Sequence, residues 1–399
     1  MLEFSDEWAT TKLRNESEII SKGTTPTTLG RVFVERGIAF VKIESITDDG
    51  RIDTEKLAYI DEATHTLLKR SQLKANDILF SIAGALGRVA TADTHMLPAN
   101  TNQALAFIRL KANSQIDHGY LIHYLRSNEI QKHIEAIQVQ AAQANLSLEN
   151  IRDFKIKFPP LPEQRAIATV LSDVDALLAK LDALIAKKRD IKQAAMQQLL
   201  TGKQRLPGFS GEWEVKRFGD IATPRKDRLD PRKAGAQEFC IELEHIEQGA
   251  GRLLGSASTG DQSSLKSIFQ AGDVLFGKLR AYLRKYWLAD REGVCSTEIW
   301  ALMAHRRLVT PEFLFQLVTA DQFIEAASTA YGTHMPRSDW NVVKNYEVVT
   351  PELDEQTAIA AVLSDMDAEL AALEARREKT RALKQGMMQE LLTGRIRLL

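Results

Sequence analysis

Apolar residues recur at two different periods along this chain. Ile167, Leu171, Val174, Leu178, Leu181 and Ile185 follow 4-3-4-3-4 spacing, and Ile359, Leu363, Met366, Leu370 and Leu373 follow the same rule. That spacing puts each set on one stripe of a helix, the seam of a coiled coil. Neither stretch has an internal proline, and Gly386 is the only internal glycine. Pro159, Pro160 and Pro162 permit a helix start near Glu163, while Gly202 and Gly394 stand where a C-terminal cap belongs. About 40 residues at ~1.5 Å each give a helix of roughly 60 Å. A stripe of that length must be covered, and its simplest partner is the other helix, packed antiparallel. Elsewhere the period shortens to two, predicting strands at 40–46 and 239–246. Further strand patterns lie at 103–110 and 294–303, and an Asp followed by apolar residues opens 77–80 and 273–276. Helices are expected near 117–137, with Tyr120, Leu121, Tyr124 and Leu125 on one face, and over 311–327.

The two long helices are copies of one another. Residues 159–206 and 351–398 align without a gap at an offset of 192, with 29 identities in 48 pairs. The regions before them are only weakly alike; both open with Phe-Ser-x-Glu-Trp, at 4–8 and 209–213. An internal duplication of this length means two equivalent halves. The domain order is then 1–158 globular, 159–206 helix, 207–350 globular and 351–399 helix.

Composition adds limits. At 399 residues two or more domains are the default, and 44% apolar with 26% charged residues is ordinary for a globular protein. No apolar run reaches the length of a membrane span, and the first residues lack the basic-then-apolar order of a signal peptide. Two cysteines, Cys240 and Cys295, fit a reducing cytosol, which makes the expected location cytoplasmic. The net charge of −1 does not advertise nucleic-acid binding, so any DNA-binding groups must cluster locally.

No catalytic signature is present. There is no phosphate-binding G-x-x-x-x-G-K-[ST] loop, no Asn-Pro-Pro-aromatic motif of adenine-amino methyltransferases, and no metal-ligand spacing among the eight histidines. The strongest local DNA signal is 276–287, where Lys278, Arg280, Arg284 and Lys285 interleave with Phe276, Tyr282, Tyr286 and Trp287, with no acid between them. Cations neutralise phosphates, and Arg can bond both acceptors of a guanine edge. The plain alternative is an amphipathic strand, with Phe276 and Trp287 in the core and a solvated basic face. The equivalent stretch of the first half, 81–88, has one cation, Arg88, and glycines that let backbone amides approach a phosphate or base edge; it could equally be a turn between strands. A second candidate pair precedes each helix: Gln143, Asn145 and Ser147 in one half, and His334, Arg337 and Ser338 in the other. Asn and Gln suit adenine and Arg suits guanine, but a polar loop would read the same. Lys187, Lys188, Arg189 and Lys192 make the first long helix basic, which fits a solvated coiled-coil face, backbone contact or an acidic partner.

The layout and its motifs resemble the specificity subunit of type I restriction–modification systems, over essentially the whole chain. Phe158-Pro159-Pro160-Leu161-Pro162-Glu163-Gln164 matches that family's "PPLPEQ" start of the central helix, and Gln197-Gln198-Leu199-Leu200-Thr201-Gly202 its end. Glu212-Trp213 with Phe218-Gly219-Asp220-Ile221 looks like the start of a target-recognition domain. Two places depart: Pro351-Glu352-Leu353-Asp354-Glu355-Gln356 has lost two prolines, and Lys12-Leu13-Arg14-Asn15 replaces a Gly-Asp pair. The resemblance implies an α+β fold with two target-recognition domains, each followed by a long helix, the helices pairing as an antiparallel coiled coil about a pseudo-twofold repeat. It implies that each domain reads half of a split site in double-stranded DNA and that the helices set the spacing. It also implies that two methyltransferase subunits dock on the helices and that restriction subunits join them. The chain itself would be non-catalytic and without cofactor, with S-adenosylmethionine, ATP and Mg2+ on the partner subunits. The rival readings are a coiled-coil protein scaffold and a standalone DNA-modifying enzyme.

Overall fold

The computed structural model describes residues 8–140, 145–260, 263–329 and 336–398. The chain divides into two compact units, Met1–Leu181 with Arg376–Leu399, and Asp182–Ala375. Each long helix therefore contributes to both.

In the first unit a four-stranded antiparallel sheet runs in the order Ser17–Lys22, Leu105–Leu110, Ile78–Ser81, Val89–Thr91. A smaller sheet pairs Ile38–Val41 antiparallel with Ala58–Ile60 and parallel with Ala99–Thr101. The helices His118–Leu125 and Asn128–Gln140 cover the first sheet. Phe80, Tyr120, Tyr124 and Phe154 form its core with Ile167 and Leu171 of the central helix and Leu391 and Leu392 of the C-terminal one. The recognition fold and the helix pair are thus one hydrophobic body in this unit, because the helices' apolar stripe faces the sheet's helical cover.

The second unit repeats the scheme. Its antiparallel sheet runs Ala222–Pro224, Ile299–Ala304, Val274–Gly277, Tyr286–Leu288. A second sheet holds Arg228–Leu229, Lys266–Phe269, Gly293–Ser296 and Cys240–Ile241. Phe218, Phe276, Phe313 and Phe323 pack with Met196 and Leu199 of the central helix and Ile359 and Leu363 of the C-terminal one.

Three expectations are corrected in detail. The period-two runs at 40–46 and 239–246 are strand only at their start, then bend into tight turns at Ile43–Ser45 and Leu243–His245. A side chain makes each bend: Ser45 Oγ accepts from Lys42 N–H (3.4 Å), and His245 Nδ1 accepts from Glu242 N–H (3.0 Å). Alternation survives because Ile46 and Ile246 still reach the core. The single strand expected at 294–303 is two strands in two sheets, broken at 297–298, where the carbonyl of Glu298 accepts from Lys278 N–H (3.0 Å). The helices expected near 117–137 and over 311–327 are each split: into His118–Leu125 and Asn128–Gln140, and into Pro311–Thr319 and Asp321–Ser328, the latter pair separated by Ala320 in extended backbone.

The long helices span Leu161–Leu199 and Leu353–Leu391. They pair antiparallel in each unit, and one bridge occurs twice. Lys384 reaches Asp175 at 2.5 Å in the first unit, and Lys192 reaches Asp367 at 2.5 Å in the second. Both partners of one bridge lie 192 positions from their counterparts in the other. The repeated Glu-Gln pairs tie the helix starts down. Gln164 is fully buried, accepting from Asp117 N–H (2.8 Å) and donating to the carbonyls of Gln115 (2.9 Å) and Pro159 (2.8 Å). Gln356 does the same with Thr310 N–H (2.9 Å), Leu308 O (2.9 Å) and Pro351 O (2.9 Å). Glu163 accepts from Arg397, and Glu355 from Arg205 and Trp213 Nε1. Each helix start is thereby fastened to the tail that follows the other helix.

Candidate nucleic-acid interface

Two stretches singled out in the sequence meet in the second unit. The loop 278–284 leaves the strand Val274–Gly277 and returns into Tyr286–Leu288, its base closed by Gly277 N–H donating to Lys285 O (2.8 Å). Segment 336–338 lies beside it. Arg280 N–H donates to Pro336 O (2.9 Å), Ser338 N–H donates to Lys278 O (2.8 Å), and residues 279 and 337 form a β-bridge.

The side chains of this loop divide sharply. Arg280 and Tyr282 are exposed, Tyr282 by 52%. Lys278 is half-buried beside them, and Arg337 is exposed with Nε on Glu298 Oε2 (2.9 Å). The others are used inside the fold. Lys285 donates Nζ to the carbonyls of Leu243 (2.6 Å) and Ile246 (2.9 Å). Arg284 pairs with the Asp321 carboxylate and reaches Thr319 O at 3.5 Å. Ser338 is buried and donates Oγ to Ala327 O (2.6 Å). Phe276 and Trp287 lie in the core, and the Tyr286 hydroxyl is pushed up to about 12 by burial.

The first unit builds the same frame from different residues. Ser81 N–H donates to Arg88 O (2.9 Å), Leu146 N–H donates to Ile82 O (2.9 Å) and Ile82 N–H donates to Ala104 O (2.9 Å). These match Gly277–Lys285, Ser338–Lys278 and Lys278–Glu298 of the second unit. The enclosed loop, 82–87, has Gly84 and Gly87 at φ 73° and 78°. Arg88 is held by Ile46 O (2.9 Å) and Asp48 (2.5 Å). Asn145 is exposed, and Ser147 caps the short helix Leu148–Arg152, its Oγ accepting from Asn150 N–H (3.1 Å). Gln143 and His334 lie outside the described residues.

At the far end of the strand that leads into each loop is a buried Asp–Arg clasp that the sequence reading missed. Asp77 takes Arg109 at 2.7 Å through both oxygens and accepts Lys74 N–H (2.8 Å). Asp273 takes Arg225 and accepts Gln270 N–H (2.8 Å). The Asp is at the same place in both units, and was visible as the residue opening 77–80 and 273–276. Its arginine comes from a different place each time, Arg109 from the strand Leu105–Leu110 and Arg225 from just after Ala222–Pro224, so no repeat could reveal it. On the central helix, Lys188, Arg189 and Lys192 face Glu369 (2.7 Å), Glu374 (2.5 Å) and Asp367 (2.5 Å). Most of that basic cluster is therefore spent on the helix pair.

Among the described residues no cluster of His, Cys, Asp or Glu could hold a metal ion, and no helix is long and apolar enough to cross a membrane. Cys240 and Cys295 are free and buried, and burial raises both thiols, Cys240 to about 11.

The family description "Type I restriction modification DNA specificity domain" matches residues 5–188 and 210–382. The MjaX type I restriction enzyme specificity subunit of Methanocaldococcus jannaschii is 23% identical over 99% of this chain and 95% of its own length. The EcoDI specificity subunit of Escherichia coli is 23% identical over 62% of this chain and 63% of its own. In fold, the chain is similar to the type I restriction–modification S subunit from M. genitalium (TM-score 0.58, 15% identity, 98% of this chain and 97% of that one). It is equally similar to a chain from work on complex assembly and conformational transition of the type I R-M system (TM-score 0.58, 15% identity, 98% and 99%). With two copies of that domain in one α+β repeat, each backed by a long helix, the chain belongs to the type I restriction–modification specificity family, as a non-catalytic specificity subunit.

Proposed function

We propose that the two domains, 1–158 and 207–350, each read one half of an asymmetric bipartite site in double-stranded DNA, in the cytoplasm. The observation that carries this is the common loop frame with unlike contents. The same three backbone hydrogen bonds hold 82–87 in one unit and 278–284 in the other, while the side chains they present differ. A fixed frame with variable contents suits two readers of different sequences, since base edges are told apart by side-chain donors and acceptors. In the second unit Lys278, Arg280, Tyr282 and Arg337 form the contact set, with Arg284, Lys285 and Ser338 supporting it. In the first, Arg88, Asn145 and Ser147 flank the glycine loop, with Gln143 in the same segment by sequence; His334 belongs by sequence to the second domain's segment that carries Arg337.

The helices serve as spacer and as docking site for two methyltransferase subunits, and restriction subunits join that assembly. S-adenosylmethionine, ATP and Mg2+ would be held by those partners. Docking is supported by apolar residues that the helix pair leaves outside its seam: Leu184 and Ile191, seven residues apart in the second unit's part of the central helix, are 39% and 42% exposed.

The test is methylated-base sequencing of genomic DNA from the host, with and without this chain. A bipartite motif with a fixed gap that vanishes with the chain is expected. Methylation that persists, or an uninterrupted motif, would overturn the proposal.

A further inference from the structure

Among the described residues only three that are not glycine have positive φ, and two of them are in one loop: Arg280 at 55° and Arg284 at 51°. The left-handed region is disfavoured for any residue with a Cβ, and glycine is the ordinary solution. The first unit takes that solution, with Gly84 and Gly87 in the matching loop. The second unit places arginines where the backbone asks for glycine. Something other than the turn must account for the two side chains.

For Arg284 the fold supplies the reason. Its guanidinium pairs with Asp321, which also accepts from Gln193 of the central helix, and it reaches Thr319 O. The backbone carbonyl of Arg284 accepts Gly249 N–H (2.9 Å) as well. The first unit closes the corresponding junction from the opposite side, where Arg126 reaches out to Val89 O (2.9 Å) and Gly50 O (3.3 Å). The cleft beneath the loop, about 610 Å³ and lined by Arg284, Tyr286, Arg189, Arg252, Asp367 and Glu374, is internally neutralised by ion pairs. Arg284 is therefore a tether.

For Arg280 the fold supplies none. Its side chain is exposed and makes no ion pair or side-chain hydrogen bond among the described residues, while its N–H is fixed on Pro336 O. It is a preorganised cation on a loop held at both ends. We propose that Arg280 is a specificity-determining residue of the second domain, bonding the O6 and N7 acceptors of a guanine in the major groove, and that Arg284 is the positioning residue that holds it there; this rests on the DNA-reading role proposed above. Guanine is the base whose two major-groove acceptors match the guanidinium fork, and a residue whose backbone is already set loses less freedom on binding.

The test uses the chain assembled with its host's methyltransferase subunits, in three variants. Glycine at either position keeps the backbone comfortable and removes only the side chain. R280G should melt no lower than wild type. Its preference at one guanine of one half-site should fall roughly 5- to 150-fold, the range of one bidentate base contact, with the other half-site untouched. R284G should melt lower, raise KM for DNA and weaken the preference at the same guanine by less than R280G does, and R284K should recover most of these losses. A uniform loss over all sequences in R280G would make Arg280 a phosphate contact and overturn the assignment, as would an unchanged motif at an unchanged rate. A changed preference at a different base in R284G, or a loss equal to that of R280G without lower melting, would overturn the division of roles. A wild-type complex with no bipartite motif would fail the DNA-reading role itself, whereas a wild-type motif indifferent to R280G would fail only this inference.

Discussion

At the scale of single residues, the duplicated positions separate what the frame needs from what each half uses. Gln164 and Gln356 make the same three hydrogen bonds in both units, so that position is set by an unvarying backbone. About two turns further along the same helices, at Ser172 and Ser364, the units differ. His123, 3% exposed, has Nε2 3.1 Å from Ser172 Oγ, and Gln316, fully buried, faces Ser364 at 3.5 Å; among the described residues the buried His123 Nδ1 and Gln316 Oε1 have no partner. Burial lowers the His123 imidazole from 6.5 to about 4; Lys384 and Arg126 push it the same way and Asp175 opposes them. The folded first unit therefore holds His123 neutral, while the unfolded chain binds a proton as pH falls through 6.5. Between pH 6.5 and about 4 the unfolded state carries more protons, so stability is complete at pH 7 and above and drops as pH falls, by on the order of 3 kcal/mol at the bottom of the window. The second unit has glutamine, Gln316, at this position and no such loss. Hydrogen exchange of residues 118–125 from pH 7.5 to 4.5 should show this loss, and H123Q should flatten it. His118, also lowered by burial, leaves a residue of the slope. An unchanged slope in H123Q would rule out His123 as its source.

At the scale of elements, the long helices were the most legible part of the chain, because a seam is written in the period of the apolar residues and the repeat wrote it twice. The antiparallel pairing followed from the need to cover that seam, and the bridges Lys192–Asp367 and Lys384–Asp175 have that symmetry. The split helices and broken strands were not legible, since the interruptions at 126–127, 297–298 and 320 contain no proline or glycine. The break at 297–298 is set by a tertiary hydrogen bond, from Lys278 N–H to Glu298 O. In the same way Arg280 and Arg284 look alike in sequence, and only the neighbour Asp321, 37 residues on, separates a tether from an exposed cation. The proposed docking surface belongs to this scale. Leu184 and Ile191 point away from the seam residues Leu181 and Ile185, which are 4% and 2% exposed. L184D with I191D should leave melting within about 0.5 kcal/mol of wild type, as exposed substitutions do. It should sharply reduce the methyltransferase that co-purifies with the chain, read by native mass spectrometry. Full recovery of two methyltransferase copies would place the docking face elsewhere.

At the scale of the whole molecule, the duplication makes the helices a measurable part of recognition. Each is 39 residues long and contributes to both units. If they set the distance between two reading domains, their length is a parameter of the DNA motif that is independent of the loops. A helix rises ~1.5 Å per residue, so four residues added to each helix at matched positions lengthen the pair by about 6 Å. Base pairs are stacked ~3.4 Å apart, so the preferred gap between half-sites should grow by one or two base pairs. Four residues turn a helix by slightly more than one revolution, so the apolar seam and the repeated Lys–Asp bridges keep nearly their original faces. The loops 82–87 and 278–284 are untouched, and the half-site sequences should therefore stay as they were. Methylated-base sequencing of cells carrying the lengthened chain reads both quantities at once. A longer gap between unchanged half-sites is the expected result. Changed half-sites at the original gap would mean that the helices act on the reading domains rather than on the distance between them, and an unchanged motif would mean that spacing is fixed by the partner subunits.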